Sequence, residues 1–150
     1  MSPRIWLAAS VLAAALLARP SGAFAGDADC SYIEIAATNG KAASIDADLK
    51  PLEKKLKKPP FTAWNTFKKM SAGVTSLTKN KAEAIKLGQG AASLMLRDRS
   101  EKRVELTVTM DGADGKRVLD AKPAMKSGDW LLLVGTNAKD DGHILALTCK

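Results

Sequence analysis

Val104-Glu105-Leu106-Thr107-Val108-Thr109-Met110 is the stretch that decides the class of fold. Side chains of a strand alternate between faces, so Val104, Leu106, Val108 and Met110 share one side and Glu105, Thr107 and Thr109 the other. One face belongs in a core and the other in water, as in an antiparallel sheet. Downstream, Asp111-Gly112-Ala113-Asp114-Gly115 has hairpin chemistry and leads into a strand over 116–121. Upstream, strands are expected over 74–78 and 82–87, and Leu87-Gly88-Gln89-Gly90 turns the chain into another over 92–97. The run 130–134, Trp-Leu-Leu-Leu-Val, is apolar on both faces, which suits a strand in the middle of a packed structure. Asp140-Asp141-Gly142 is a turn, and the strand after it, 143–149, sets Leu145, Leu147 and Cys149 on one side.

Nearer the start, 31–36 alternates, with Ile33 and Ile35 on one face and Tyr32 and Glu34 on the other. Cys30 has the parity of Tyr32, which favours a sheet edge over a deep core for it. Residues 61–70 fit two periods, Phe61/Trp64/Phe67 at three and Thr62/Trp64/Thr66 at two, and are read as a strand. The single helix expected is amphipathic. Ile45, Leu49, Leu52 and Leu56 recur at spacings of four, three and four. With Asp48 as N-cap, Pro51 falls in the first turn, where its missing N–H costs nothing, and the helix runs over 48–57 until Pro59-Pro60 stops it. The fold expected is mainly β, an antiparallel sandwich or small barrel of about eight strands with one N-terminal amphipathic helix.

Residues 1–25 read as a cleaved signal peptide: Arg4 is a positive n-region, 5–17 an apolar stretch, and Ala23-Phe24-Ala25 a small-x-small cut site. The apolar stretch is shorter than the ~20 residues of a membrane span and is broken by Arg19-Pro20, so no transmembrane segment is expected. What remains, 26–150, is one β-rich domain, periplasmic or extracellular. Lys plus Arg (23) against Asp plus Glu (16) gives +7, and removing Arg4 and Arg19 leaves a basic chain at 21 − 16 = +5. Export favours a disulfide between the only two cysteines, Cys30 and Cys149. They lack the C-x-x-C spacing of redox pairs, and with one histidine they make a poor zinc site.

Chemistry-bearing motifs are few. His143 reads as an exposed strand-end residue; as a general base in a small secreted hydrolase it would work with Asp140 or Asp141. Those two aspartates, and Asp111 with Asp114, sit in glycine-containing turns, and the 111–114 loop lacks the ligand spacing of an EF-hand, so neither a metal nor another cofactor is expected. The basic segment is the more suggestive feature. Lys54, Lys55, Lys57 and Lys58, then Lys68 and Lys69, bracket Phe61, Trp64 and Phe67. Lysines interleaved with aromatics suit an anionic surface or an acidic protein, with Trp64 as an anchor if exposed, while a solvated helix face is the simpler account. Export removes the chain from cytoplasmic nucleic acid, so none is expected as partner.

The order of these features resembles small exported proteins of myxobacteria and related proteobacteria. It runs from export signal and Cys-x-Tyr-Ile-Glu-Ile through the Leu49/Leu52/Leu56 stripe and Pro60-Phe61 to a β-rich half and a closing apolar hairpin. The resemblance implies export and a single domain and carries no activity. The expectation is a non-catalytic binding domain for a protein or an anionic envelope surface, through Lys54, Lys55, Lys57, Lys58, Trp64, Lys68 and Lys69.

Overall fold

The structure is a computed structural model that describes residues 27–136 and 139–150. The signal read at 1–25 lies outside the described residues. Ten strands, where about eight were expected, form two five-stranded sheets among the described residues.

The first sheet takes β1 (Ala28–Thr38), β2 (Ser44–Ile45), β3 (Thr66–Leu77), β9 (Trp130–Thr136) and β10 (Gly142–Cys149) in the order β2-β3-β1-β10-β9. Only the two-residue β2 runs parallel to its neighbour. The second sheet is β4 (Ala82–Leu87), β5 (Gly90–Arg99), β6 (Arg103–Asp111) and β7 (Arg117–Ala121), with β8 (Ala124–Lys126) also paired to β6. β7 and β8 line one edge of β6 and are parted at Lys122-Pro123, where the proline has no N–H for the ladder.

The two sheets share one core. Leu94, Leu96, Leu106, Val108 and Met110 of the second sheet pack with Cys30, Leu145, Leu147 and Cys149 of the first. The alternation in 104–110 thus points as the sequence implies, with the even-numbered apolar residues buried. The other face of the first sheet is covered as well: Ile35, Ala37, Ile144 and Ala146 lie under Leu49, Leu52, Leu56 and Phe61.

Several expectations are corrected. The helix over 48–57 is a 3-10 segment, Ala47–Leu52, followed by one α turn, α1 (Glu53–Leu56). Pro51 sits inside the 3-10 segment, where an α-helix starting this early would meet both a missing N–H and a ring clash one turn back. The apolar stripe is nonetheless real, since Leu49, Leu52 and Leu56 are buried. Residues 61–70 begin as a 3-10 turn, Phe61–Ala63, and the strand after it, β3, runs on to Leu77 and so takes in all but the last residue of the strand expected over 74–78. β9 is the outermost strand of its sheet, not a central one. It is apolar on both sides because Leu131 and Leu133 pack on the inter-sheet core while Trp130, Leu132 and Val134 pack under the cap.

Cys30 and Cys149 form a disulfide, but in the core between the sheets and not at a sheet edge. Their strands, β1 and β10, are adjacent and interior to the sheet. Asp29 and Lys150 exchange both backbone hydrogen bonds, so the next pair, Cys30 and Cys149, is a non-hydrogen-bonded one, where side chains approach most closely.

Candidate functional site

Strand parity continues from the disulfide toward the other end of β1 and β10. Cys30, Tyr32 and Glu34 share a face of β1, and His143, Leu145, Leu147 and Cys149 share the matching face of β10. Glu34 lies opposite Leu145 and Ala36 opposite His143, so Glu34 and His143 are diagonal neighbours on the face toward the second sheet. Both side chains are buried, Glu34 completely. His143 is therefore not the exposed strand-end residue the sequence suggested.

Four donors converge on the Glu34 carboxylate. Oε1 accepts from His143 Nε2 at 2.8 Å and from the Gln89 N–H at 2.9 Å; Oε2 accepts from Ser71 Oγ at 2.5 Å and from the Gly88 N–H at 2.6 Å. Each contact has a local cause. A bulge in the β1–β3 pairing after Glu34 sets Ser71 directly across from it. The turn between β4 and β5 presents two successive N–H groups to one carboxylate. It depends on Gly90, whose φ is +106° and where a Cβ would come within 2.0 Å of the Asp111 carbonyl oxygen.

Burial by itself raises the Glu34 pKa, but the hydrogen bonds from His143, Ser71, Gln89 and Gly88 outweigh it and bring the group from 4.5 down to about 2. The carboxylate is ionised at neutral pH and can only accept, so Nε2 of His143 carries the proton. In the neutral ring Nδ1 is then a bare acceptor. Among the described residues the imidazole has no hydrogen bond other than that to Glu34. It lines a cleft of about 390 Å³ together with Gln89, Asp114, Lys116, Arg117, Val118 and Thr136.

No known protein family, curated protein or solved structure matches this chain.

Of the residues singled out from the sequence, His143 and Asp114 line this cleft and the others fall elsewhere. Asp140 is exposed with a φ of +62°, a turn conformation, and its carbonyl accepts from Trp64 Nε1 at 2.9 Å. The partner that orients His143 is Glu34, not Asp140 or Asp141. Asp111 accepts from Arg117 Nε at 2.6 Å, and Asp114 accepts the Lys116 N–H within its own turn. No group of three or more His, Cys, Asp or Glu side chains is placed to hold a metal among the described residues.

Trp64 is half-buried and packs against the cap cluster beside Gly142. Together with Ile45, Leu56, Lys57 and Phe67 it lines an open groove of about 540 Å³. Two of the six lysines are engaged: Lys57 pairs with Glu53 at 2.7 Å and Lys69 with Asp48 at 2.7 Å. Both pairs are largely exposed and contribute little to stability. Lys54, Lys55, Lys58 and Lys68 make no ion pair among the described residues. Lys55 and Lys58 border a depression of about 230 Å³ with Phe61, Trp130 and Leu132.

Glu34 is the residue that sequence reasoning misses. Alternation gives it a face but no role, because an acidic residue in an alternating strand ordinarily faces solvent. The signal that finds it is the disulfide itself, which fixes the β1–β10 register and carries His143 to the same face.

Proposed function

We propose that the chain is an exported domain, its two sheets packed as a sandwich, that binds a protein or an anionic envelope component and has no catalytic role. The observation behind this reading is the set of lysines without an ion pair among the described residues: Lys54, Lys55 and Lys58 on and beside the cap, of which Lys55 and Lys58 border an apolar depression, and Lys68 on β3. Uncompensated positive charge attracts and orients an anionic partner, and adjacent apolar surface supplies contact area. Export is supported by the internal disulfide and by the reading of 1–25. Among the described residues no helix is long and apolar enough to cross a membrane.

The test compares the tagged chain with a Lys54→Glu/Lys55→Glu/Lys58→Glu/Lys68→Glu variant in capture from native envelope fractions, with unfolding curves to establish that both are folded. Salt-sensitive capture by the parent and loss in the variant support the reading. Equal capture by both discards the lysine face.

A second reading, a small hydrolase working through His143, has the buried and oriented imidazole in its favour. Its partner in that case is Glu34 and not Asp140 or Asp141. A general base needs to be held in one tautomer, which the Glu34 hydrogen bond does. Turnover of ester or glycoside substrates that disappears in His143→Gln while the fold survives would establish it.

A further inference from the structure

The cleft at His143 is independent of the lysine face and has the ingredients of a small-molecule site. It lies where three connections meet: the β4–β5 turn contributes Gln89, the β6–β7 loop contributes Asp114 and Lys116, and the ends of β9 and β10 contribute Thr136 and His143. Loops gathered on a rigid two-sheet frame are where binding residues concentrate. The size, about 390 Å³, lies in the range of small-ligand pockets.

Its polar side chains are exposed apart from the buried His143, and several are held at one point by neighbouring groups. Glu34 holds the imidazole, and Gln89, which also lines the cleft, is held through its backbone by the same carboxylate. The Lys116 backbone is fixed by Asp114 Oδ1 at 3.0 Å. Arg117 gives its Nε to Asp111, leaving its terminal amino groups without a bonded acceptor among the described residues. The lining therefore offers the Lys116 ammonium and the terminal amino groups of Arg117, whose charge Asp111 shares at 2.6 Å, beside the Asp114 carboxylate, with His143 Nδ1 as an acceptor when the ring is neutral.

We propose that this cleft binds a small hydroxylated carboxylate of the sugar-acid type. The carboxylate of the ligand meets Lys116 and Arg117, a hydroxyl donates to His143 Nδ1, and Gln89, Asp114 and Thr136 meet the remaining hydroxyls. Both halves of that recognition add to affinity. A plain carboxylic acid brings no hydroxyl to the imidazole nitrogen, and a neutral sugar brings no anion to Lys116 and the terminal amino groups of Arg117.

The experiment follows the His143 ring-nitrogen and backbone resonances of the full mature chain while D-galacturonate, D-galactose or propionate is added at constant ionic strength. The expected result is saturable binding of galacturonate with a shift of the Nδ1 resonance, and binding about tenfold weaker or worse for each of the other two, the size of one charge-assisted hydrogen bond. Lys116→Gln, a change at an exposed side chain, should weaken galacturonate about tenfold while leaving the fold intact. Equal binding of galactose or of propionate overturns the proposal, as does saturable galacturonate binding that leaves Nδ1 unshifted or Lys116→Gln unaffected. Absence of saturation by galacturonate overturns it too. None of these outcomes depends on Lys54, Lys55, Lys58 or Lys68.

Discussion

Replacing Glu34 by Gln keeps the shape of the side chain and removes its charge. In the native state the group titrates at about 2, against 4.5 when unconstrained. Because the native pKa is the lower one, the unfolded chain binds more protons throughout that window and stability rises with pH there. The contribution is complete above the unfolded value, from about pH 5.5, and is lost as pH falls toward 2. Each tenfold difference in proton affinity between the folded and unfolded chain corresponds to about 1.4 kcal/mol, so the ionised carboxylate is worth about 3 kcal/mol at neutral pH. In the Gln variant one amide NH₂ also points at N–H or O–H donors that formerly met an oxygen, which adds to the loss. Denaturant unfolding of the disulfide-intact parent and of Glu34→Gln, at intervals between pH 7 and pH 2, should show a gap of at least about 3 kcal/mol at neutrality that narrows by about that amount toward pH 2. Every other carboxylate is common to both proteins, so the gap reports Glu34 together with its effect on the bonded His143. A gap that is absent at pH 7, or that persists undiminished at pH 2, would refute the claim that an ionised, fully bonded carboxylate sits between the sheets.

Other perturbations have equally definite outcomes. Cys30→Ala/Cys149→Ala opens a closure of 119 residues and should cost about 3–5 kcal/mol in denaturant melts; an unchanged midpoint under non-reducing conditions would show that the bond adds nothing. Leu52→Ala empties a fully buried position under the cap and should cost about 2–5 kcal/mol, whereas an effect below about 1 kcal/mol would mean that the cap is not packed as described. Gly90→Ala requires an L-residue at φ +106° and drives its Cβ into the Asp111 carbonyl, so a loss of at least about 3 kcal/mol is expected in thermal or denaturant melts, and a neutral result would contradict the turn geometry. Combining Glu34→Gln with Cys30→Ala/Cys149→Ala should cost more than the two separate losses together, measured as a thermodynamic cycle; strict additivity would mean that the two clasps do not cooperate in setting strand register.

Much of the fold was legible because it rests on local periodicity. The alternation of 104–110, the turn at 87–90 and the stripe Leu49/Leu52/Leu56 each answer to short-range rules, and each is present. What was hidden depends on which segments meet. Two-residue β2 and three-residue β8 exist only because β3 and β6 supply a free edge beside them. The apolar run of β9 looked central since a strand covered on both faces reads the same whether it is interior or outermost under a cap. The Glu34–His143 pair spans 109 residues, and neither residue has a local pattern that announces the other. Antiparallel pairing anchored at Cys30 and Cys149 nevertheless requires Ala36 opposite His143, which places the two side chains together by parity alone. The cysteines, read only as a staple, were also a ruler.

That ruler bears on why an ionised group is tolerated in a core. β10 is apolar on both faces, with Leu145 and Leu147 toward the second sheet and Ile144 and Ala146 toward the cap. For most strands a one-residue slip exchanges core and solvent faces and is heavily penalised, but here both faces are buried, so apolar burial distinguishes poorly between registers. A two-residue slip would preserve even the facing pattern. The residues that do discriminate are Cys149 at one end of the strand and His143 at the other, facing Cys30 and the Glu34 site. Any slip leaves the Glu34 carboxylate short of a donor in a dry setting, a penalty of a few kcal/mol, and separates the two sulfurs. A well-packed apolar residue in place of Glu34 would stabilise this register and its neighbours alike. The buried carboxylate stabilises one register only, and with it the position of the imidazole at the head of the cleft.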